Sequence, residues 1–173
     1  MGTIPTSRGA LPRLIGMVHL LPLPGSPDFT GDFDFVLEQA VADALVLNEG
    51  GFDGLMLENF GDAPFFADAV PPVTIAAMTR AATAVREAAG LPLGINVLRN
   101  DAVSALSIAA AVGAGFIRVN VLTGTMYTDQ GPIVGKAAEV ARLRAAIGPK
   151  VAIVADVFVK HAVPPHGLTL EQA

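Results

Sequence analysis

Short apolar runs alternate with longer alanine-rich segments along most of the chain. Each run contains mainly Val, Ile and Leu at consecutive positions, which is typical of strands in a parallel sheet that is covered on both faces. The predicted strands lie at Leu14–Leu20, Gly54–Leu57, Leu93–Leu98, Phe116–Val121 and Val151–Val157. The segments between them have the length and alanine content of helices. These helices are expected at about 34–49, 74–89, 102–112 and 136–147.

Residues that begin and end helices flank these segments. Gly90 follows one predicted helix, and glycine is the usual residue just after a helix end. Thr74 and Asp101 are expected to cap the starts of two helices, Asp101 in that role alone. A fifth helix is predicted to begin at Thr169. Strands and helices that alternate in this way predict one α/β domain over residues 1–173, built as a doubly wound sheet or as an eight-stranded barrel.

The loop after the first strand argues against a dinucleotide-binding sheet. Such a sheet carries a glycine-rich turn at this place, and the backbone N–H groups of that turn bind the pyrophosphate. Here the loop contains Pro22 and Pro24, which have no backbone N–H group. The barrel is therefore the favoured architecture.

The polar residues of the predicted strands also favour the barrel, because they share one face and lie late in each strand. Successive side chains of a strand point to opposite faces. In four of the strands, the side chains that point to the other face are aliphatic. The polar residues on the shared face are Glu58, Asn96, Arg118, Asn120 and Asp156. A TIM barrel carries its site at this end of the strands.

Composition narrows the class of protein and its partners. The chain has 173 residues, of which 52% are hydrophobic and 16% charged, so it can bury a core. The net charge of -5 and the absence of a basic run argue against a nucleic-acid partner. The chain contains no cysteine, which excludes disulfides and thiolate chemistry. The longest uncharged stretch, Ala102–Ile117, is shorter than the about 20 residues of a membrane span, and a cytoplasmic location is expected.

Several ordered polar blocks resemble the BtpA/SgcQ family. The first is Ile15–Gly25, which reads IGMVHLLPLPG, and the second is Glu58–Phe65 after the second strand. The remaining blocks are Asn96–Asp101, Ile117–Gly131 and Ala155–Ala162. Together they are spread from about Leu14 to Ala162.

The resemblance implies a TIM barrel of the ribulose-phosphate-binding type, and it leaves two functions open. The family's founding cyanobacterial member is needed for photosystem I biogenesis and is attached to the thylakoid surface. Other members are regarded as enzymes of sugars or nucleosides without an established reaction. The first function is therefore an enzyme that acts on a small phosphorylated sugar or nucleoside-like substrate at the carboxyl end of the barrel. The alternative is a non-enzymatic assembly factor with peripheral membrane association.

For an enzyme, charged residues at the strand ends would carry the chemistry. Glu58, Asp156 and Lys160 are the predicted catalytic residues. The carboxylates would act as general acid or base, and Lys160 would bind phosphate or, if desolvated, form a Schiff base. The predicted substrate-binding residues, which would pair with anionic groups or sugar hydroxyls, are His19, Asn96, Arg99, Arg118, Asn120 and Asp129.

Structural roles remain open for the same residues. An internal ion-pair network with a purely structural role can be formed by Glu58, Arg118 and Asp156. Each charge would then be neutralised by another charge of the network, because a buried charge without a partner costs several kcal/mol. His19 can be a hydrogen-bonded structural residue. No cofactor is identified, and a divalent ion held by Glu58, Asp129 and Asp156 is a further alternative.

The chain is short for an eight-stranded barrel, which needs about 250 residues. It contains about five of the eight strand–helix units, whereas loops after strands seven and eight usually complete a phosphate site in such barrels. The first and last predicted strands each lack one neighbour, which leaves backbone donors and acceptors unpaired. A partial barrel of this kind is expected to self-associate.

Overall fold

Strands and helices alternate in the computed structural model, which describes residues 11–171. The strands, in chain order, are β1 (Ile15–His19), β2 (Gly54–Glu58), β3 (Leu93–Asn96), β4 (Phe116–Val119), β5 (Thr125–Thr128), β6 (Gly131–Val134) and β7 (Ala152–Ala155). The helices are α1 (Phe33–Glu49), α2 (Pro72–Ala89), α3 (Ala102–Val112) and α4 (Ala137–Ile147). Strands β5 and β6 form a hairpin, and the other five strands form one parallel sheet. The predicted α/β class is confirmed.

The order of strands in the sheet follows their order in the chain. The sheet runs β1-β2-β3-β4-β7, so each strand pairs with the next strand that joins the sheet. A doubly wound sheet reverses its strand order at the point where its ligand binds, and these five strands contain no such reversal. The sheet is singly wound.

The four helices cover one face of the sheet, where the aliphatic strand residues are buried. Fully buried residues on this face include Val18, Leu57, Ile95 and Ile117. Helix α1 packs closely on β1 at Gly16, which has no side chain. A Cβ atom there would lie 2.8 Å from a methyl carbon of Leu47, so a larger residue would not fit without a shift. Within residues 11–171, no helix is long and apolar enough to cross a bilayer.

The opposite face of the sheet carries the polar side chains that the alternation of the strands predicts. Gly94 lies on this face beside Phe116, its partner in the β3–β4 register. A Cβ atom at Gly94 would overlap the Phe116 ring, so the bare glycine leaves room for that ring. Asn96 and Arg118 follow two residues later in the same strands, at the carboxyl edge.

One of the predicted helix starts is wrong. Helix α2 begins at Pro72, and Thr74 lies inside its first turn as a buried residue. The physical reason is that proline is favoured in the first turn of a helix, where its missing N–H group costs nothing. The predicted start at Thr169 stays a prediction, because the described residues end at Glu171, where Leu170 and Glu171 lie in a turn.

Asp101 caps α3 as expected, but it does more than cap. Its Oδ1 accepts a hydrogen bond from the Ser104 backbone N–H at 2.9 Å. Its Oδ2 accepts from the Ser104 hydroxyl at 2.6 Å and from the Val70 backbone N–H at 2.9 Å. Because Val70 precedes α2, this one buried carboxylate joins the starts of two helices.

The β5–β6 hairpin was not predicted, and it lies in the connection between β4 and α4. Its apolar side chains Met126 and Ile133 pack with Val121 and Val159 in a small second core. Tyr127 of β5 also pairs with Val163, so the segment after β7 is attached to the hairpin. The loops that follow β4 and β7 therefore meet beyond the carboxyl edge of the sheet.

Candidate functional site

Arg118 lies at the centre of a charged cluster on the polar face of the sheet. Its Nε and Nη2 donate to the two carboxylate oxygens of Asp156, each at 2.9 Å. Its Nη1 donates to Oε1 of Glu58 at 3.3 Å. The structure thus brings together the three charges that the alternation of β2, β4 and β7 predicts on one face. The two-point contact fixes the plane of the guanidinium group.

Two asparagines support this cluster from β3 and from the end of β4. Asn120 Nδ2 donates to Asp156 Oδ2 at 3.0 Å. Asn96 Nδ2 donates to Asn120 Oδ1 at 3.3 Å and to the Arg118 carbonyl oxygen at 3.1 Å. The Oδ1 atom of Asn96 is buried, and no residue between 11 and 171 donates a hydrogen bond to it. One hydrogen-bond acceptor of the cluster is therefore available to a donor.

His19 lies on the other side of Glu58. Its Nε2 is 3.4 Å from Glu58 Oε2, and its ring stacks on Phe60 with the centroids 4.5 Å apart. The side chain of His19 is half exposed, whereas that of Glu58 is 6% exposed. A buried carboxyl group thus lies between a fixed guanidinium and an imidazole that reaches solvent.

The charge states of Glu58 and Arg118 follow from this arrangement. Burial raises the pKa of Glu58 above its ordinary value, although Arg118, His19 and Arg99 oppose the shift in that order. The hydrogen bonds from Arg118 to Asp156 raise the pKa of Arg118, so this guanidinium stays charged. Glu58 is accordingly a group that can hold or release a proton close to a permanent positive charge.

A cavity of about 230 Å³ opens beside this cluster. Its polar and charged lining residues, which define the charged cavity, are His19, Glu58, Arg99, Arg118, Asn120, Lys160 and His161. Lys160 is exposed, and no described residue forms an ion pair with it. An ammonium group thus faces a cavity that also contains two guanidinium groups.

Arg99 enters the charged cavity from the end of β3 and is held by the hairpin. Its Nε donates to Gln130 Oε1 at 3.0 Å, and its guanidinium carbon lies 5.1 Å from the centre of the Phe65 ring. Asp129 is exposed in the hairpin turn, with Oδ1 3.9 Å from Arg99 Nη2. Asp129 therefore lies beside Arg99 and is not among the residues that line the cavity.

The carboxylates proposed for a divalent ion are not assembled as a ligand set. Glu58 and Asp156 both accept hydrogen bonds from Arg118, and Asp129 turns toward Arg99. Among the described residues, no group of three or more His, Asp or Glu side chains is placed to hold a metal ion.

Sequence reasoning missed the amides that shape the ends of β2 and β3. Asn59 Oδ1 accepts from the Leu98 backbone N–H at 2.7 Å. Asn100 exchanges two hydrogen bonds with the backbone of Val121, at 2.8 and 2.9 Å. The signal in the sequence is an asparagine at or just beyond a strand end, where an amide can replace the backbone pairing that the strand has lost.

Comparison with known proteins gives one consistent family. The model of the BtpA family matches residues 11–173. An uncharacterised protein of Thermococcus kodakarensis is 57% identical over 152 residues, which cover 87% of this chain and 57% of the relative. The photosystem I biogenesis protein BtpA of Synechocystis sp. is 54% identical over 151 residues, which cover 87% of this chain and 53% of the relative.

A more distant relative extends the comparison to a further named protein. The sgc region protein SgcQ of Escherichia coli is 36% identical over 125 residues, which cover 71% of this chain and 46% of the relative. The chain therefore spans about half the length of these relatives. The match of the family model over residues 11–173, together with these identities, shows that the chain belongs to the BtpA family.

Proposed function

We propose that this chain carries part of the active site of an enzyme that acts on a small phosphorylated sugar or nucleoside-like substrate. The observation that carries the proposal is the pair of groups in the charged cavity: a buried Glu58 with a raised pKa, and a Lys160 that forms no ion pair with a described residue. The ion pairs of Glu58, Arg118 and Asp156 do not use the Lys160 ammonium group, so it is available to an anion at the cavity. An anionic substrate supplies its counter-charge.

The fold proposed for the whole protein is a TIM barrel of the ribulose-phosphate-binding type. Support comes from the singly wound parallel sheet, since a barrel forms when such a sheet closes on itself. The charged cavity lies at the carboxyl edge of the strands, where barrel enzymes carry their sites. Because the relatives are about twice as long as the matched region, further units of the barrel would complete the site.

Several residues in and beside the charged cavity have a role in this proposal. Lys160 and Arg99 attract the anionic group, and Arg118 fixes its position. Asn96 Oδ1 accepts a hydrogen bond from a sugar hydroxyl. Glu58 transfers a proton to or from the substrate, and His19, which contacts Glu58, exchanges that proton with solvent.

Anion binding tests this proposal directly. We expect inorganic phosphate and ribose 5-phosphate to bind the purified chain, and Lys160→Ala to weaken that binding about tenfold, measured by isothermal titration calorimetry. The matched control is Lys150→Ala, which removes an exposed lysine outside the charged cavity. Equal affinities in the two variants, or no phosphate binding by the unchanged protein, would contradict the proposal.

A non-enzymatic assembly role is the second proposal, and it is supported by the name of the Synechocystis relative. In this role the chain associates with a membrane surface or a protein partner, and the charged cluster serves only stability. Vesicle flotation separates the two proposals. Binding to vesicles that Lys160→Ala and Glu58→Gln leave unchanged, together with no response to phosphate, favours the assembly role.

A further inference from the structure

A second cavity lies between the loops that follow β1 and β2. Its volume is about 360 Å³, within the about 300–1,000 Å³ typical of small-molecule sites, whereas the charged cavity is smaller. Its walls come from residues 25–27, from the segment after β2 and from the first turn of α2. Phe65 and Leu98 line both cavities, so the two are neighbours. We call this second space the neutral cavity.

Two hydroxyl groups line the neutral cavity without a hydrogen-bond partner among residues 11–171, and they differ in burial. Ser26 Oγ is fully buried, whereas the hydroxyl of Thr74 is not. Thr74 is 6% exposed, and no described residue forms a hydrogen bond with its hydroxyl. Thr79 and Thr83 of the same helix differ, because they donate to the carbonyl oxygens four residues earlier at 2.7 and 2.9 Å. Since an unpaired buried hydroxyl costs stability, Ser26 Oγ indicates a ligand that pairs with it, and the accessible hydroxyl of Thr74 offers that ligand a second polar contact.

The charge of the wall limits which ligand fits. Among the described residues that line the neutral cavity, Asp62 is the only one with an ionisable side chain. Its two oxygens accept hydrogen bonds from the Leu23 backbone N–H at 2.8 Å and from Asn59 Nδ2 at 3.1 Å. Burial raises the pKa of Asp62, against the effect of these two bonds. A wall without cations gives an anion no counter-charge, while the carboxyl group accepts hydrogen bonds from N–H or O–H donors.

The remaining wall is apolar and partly aromatic. Phe65 and Phe66 contribute rings, and Val70 and Leu98 contribute aliphatic groups. The guanidinium group of Arg99, which lines the charged cavity, lies over the Phe65 ring. Aromatic rings favour a flat ligand, because stacked and edge-on arrangements of rings are attractive beyond the burial of area.

We propose that the neutral cavity binds a small uncharged nitrogen heterocycle. Its ring packs against Phe65, its donors bond Asp62, and its remaining polar atoms pair with the hydroxyls of Ser26 and Thr74. This binding deepens the proposed function, because a nucleoside-like substrate carries such a ring, but it rests on the wall of the neutral cavity and not on the anion binding proposed above. The two cavities differ in the sign and amount of charge in their walls, so each selects its own ligand.

Titration by nuclear magnetic resonance tests the proposal on the complete chain labelled with ¹⁵N. The probes are adenine, uracil and, separately, inorganic phosphate. We expect adenine or uracil to shift the amide signals of the non-proline residues in 23–26 and 62–66 in a saturable way. Thr74→Val and Ser26→Ala should each weaken this binding about fivefold, which is the value of one neutral hydrogen bond. The matched control is Thr83→Val, which alters an exposed hydroxyl of the same helix and leaves the affinity unchanged.

The melting temperature of the free protein separates a ligand-binding hydroxyl from a structural one, because the two roles predict shifts of opposite sign. Because Ser26 Oγ is buried and no described residue bonds it, Ser26→Ala should raise the melting temperature of the free protein by about 2–4 °C while it weakens binding. A structural hydroxyl would give a lower melting temperature.

Three results would overturn the proposal: no saturable shifts with either heterocycle, shifts centred on Arg118, or equal affinities in Thr74→Val and the unchanged protein. Loss of phosphate binding alone would count only against the anion site proposed above.

Discussion

At the scale of single residues, Arg118 connects three strands through one side chain. Arg118→Met would leave Glu58 and Asp156 without their cation. Loss of one partner of a buried pair costs about 3–5 kcal/mol, and the 30% exposure of the Arg118 side chain reduces our expectation to about 2–4 kcal/mol. Urea unfolding measures this loss. Arg142→Met, which changes an exposed arginine of α4, is the control and should cost less than about 0.5 kcal/mol.

Glu58 gives the stability of the protein a defined dependence on pH. Because burial raises its pKa above 4.5, the folded protein binds this proton more tightly than the unfolded chain does. The resulting stabilisation is complete below about pH 4.5 and is lost as the pH rises through the pKa of the folded state. Glu58→Gln cannot ionise and should not show this loss.

Unfolding free energies between pH 4 and pH 8 check this expectation. The unchanged protein should lose stability relative to Glu58→Gln as the pH rises across that range. Glu38→Gln, on the exposed surface of α1, serves as the control. Parallel pH profiles for the unchanged protein and Glu58→Gln would show that the buried carboxyl group is not responsible.

At the scale of elements, Asp101 joins α3 to the segment before α2. Asp101→Ala removes a cap, worth about 1 kcal/mol, and leaves the Val70 N–H group buried without a partner, which costs about 1–3 kcal/mol. The expected total is about 2–4 kcal/mol. Asp32→Ala is the matched control, because Asp32 caps α1 through one exposed hydrogen bond to the Phe35 N–H group. Equal losses of unfolding free energy in the two variants would show that Asp101 only caps.

The same elements show how far the sequence could predict the fold and the site. The alternation of side chains in each strand was enough to place Glu58, Arg118 and Asp156 on one face, because it depends on local geometry alone. The partners of Arg99 were not predictable, since Gln130 reaches it only through a hairpin of two four-residue strands. Strands this short carry too few alternating positions to be recognised from the sequence.

At the scale of the whole molecule, the sheet ends in two strands with one neighbour each. Among the described residues, β1 pairs only with β2, and β7 pairs only with β4. Backbone groups along such edges can pair with another chain. We therefore predict that the purified 173-residue chain self-associates as its concentration rises, and that sedimentation velocity detects this.

A charge beside the edge should reduce that association. Leu14 precedes β1 and is 50% exposed, so Leu14→Lys adds a charge that opposes pairing at this edge. Val46→Lys is the matched control, because Val46 is 67% exposed on α1 and lies away from the edge. A monomer at every concentration, or equal association in both variants, would contradict this role of the edge.

The glycine that leaves room for the Phe116 ring has a consequence for the evolution of the site. Phe116 precedes Arg118 by two residues on the same face of β4, and its buried ring fills the space beside Gly94. A Cβ atom at Gly94 would overlap this ring, so any larger residue there would displace it. A position that carries no chemistry thus limits the packing next to the charged cluster, and a single methyl group there would change that packing while every polar group stays in the sequence.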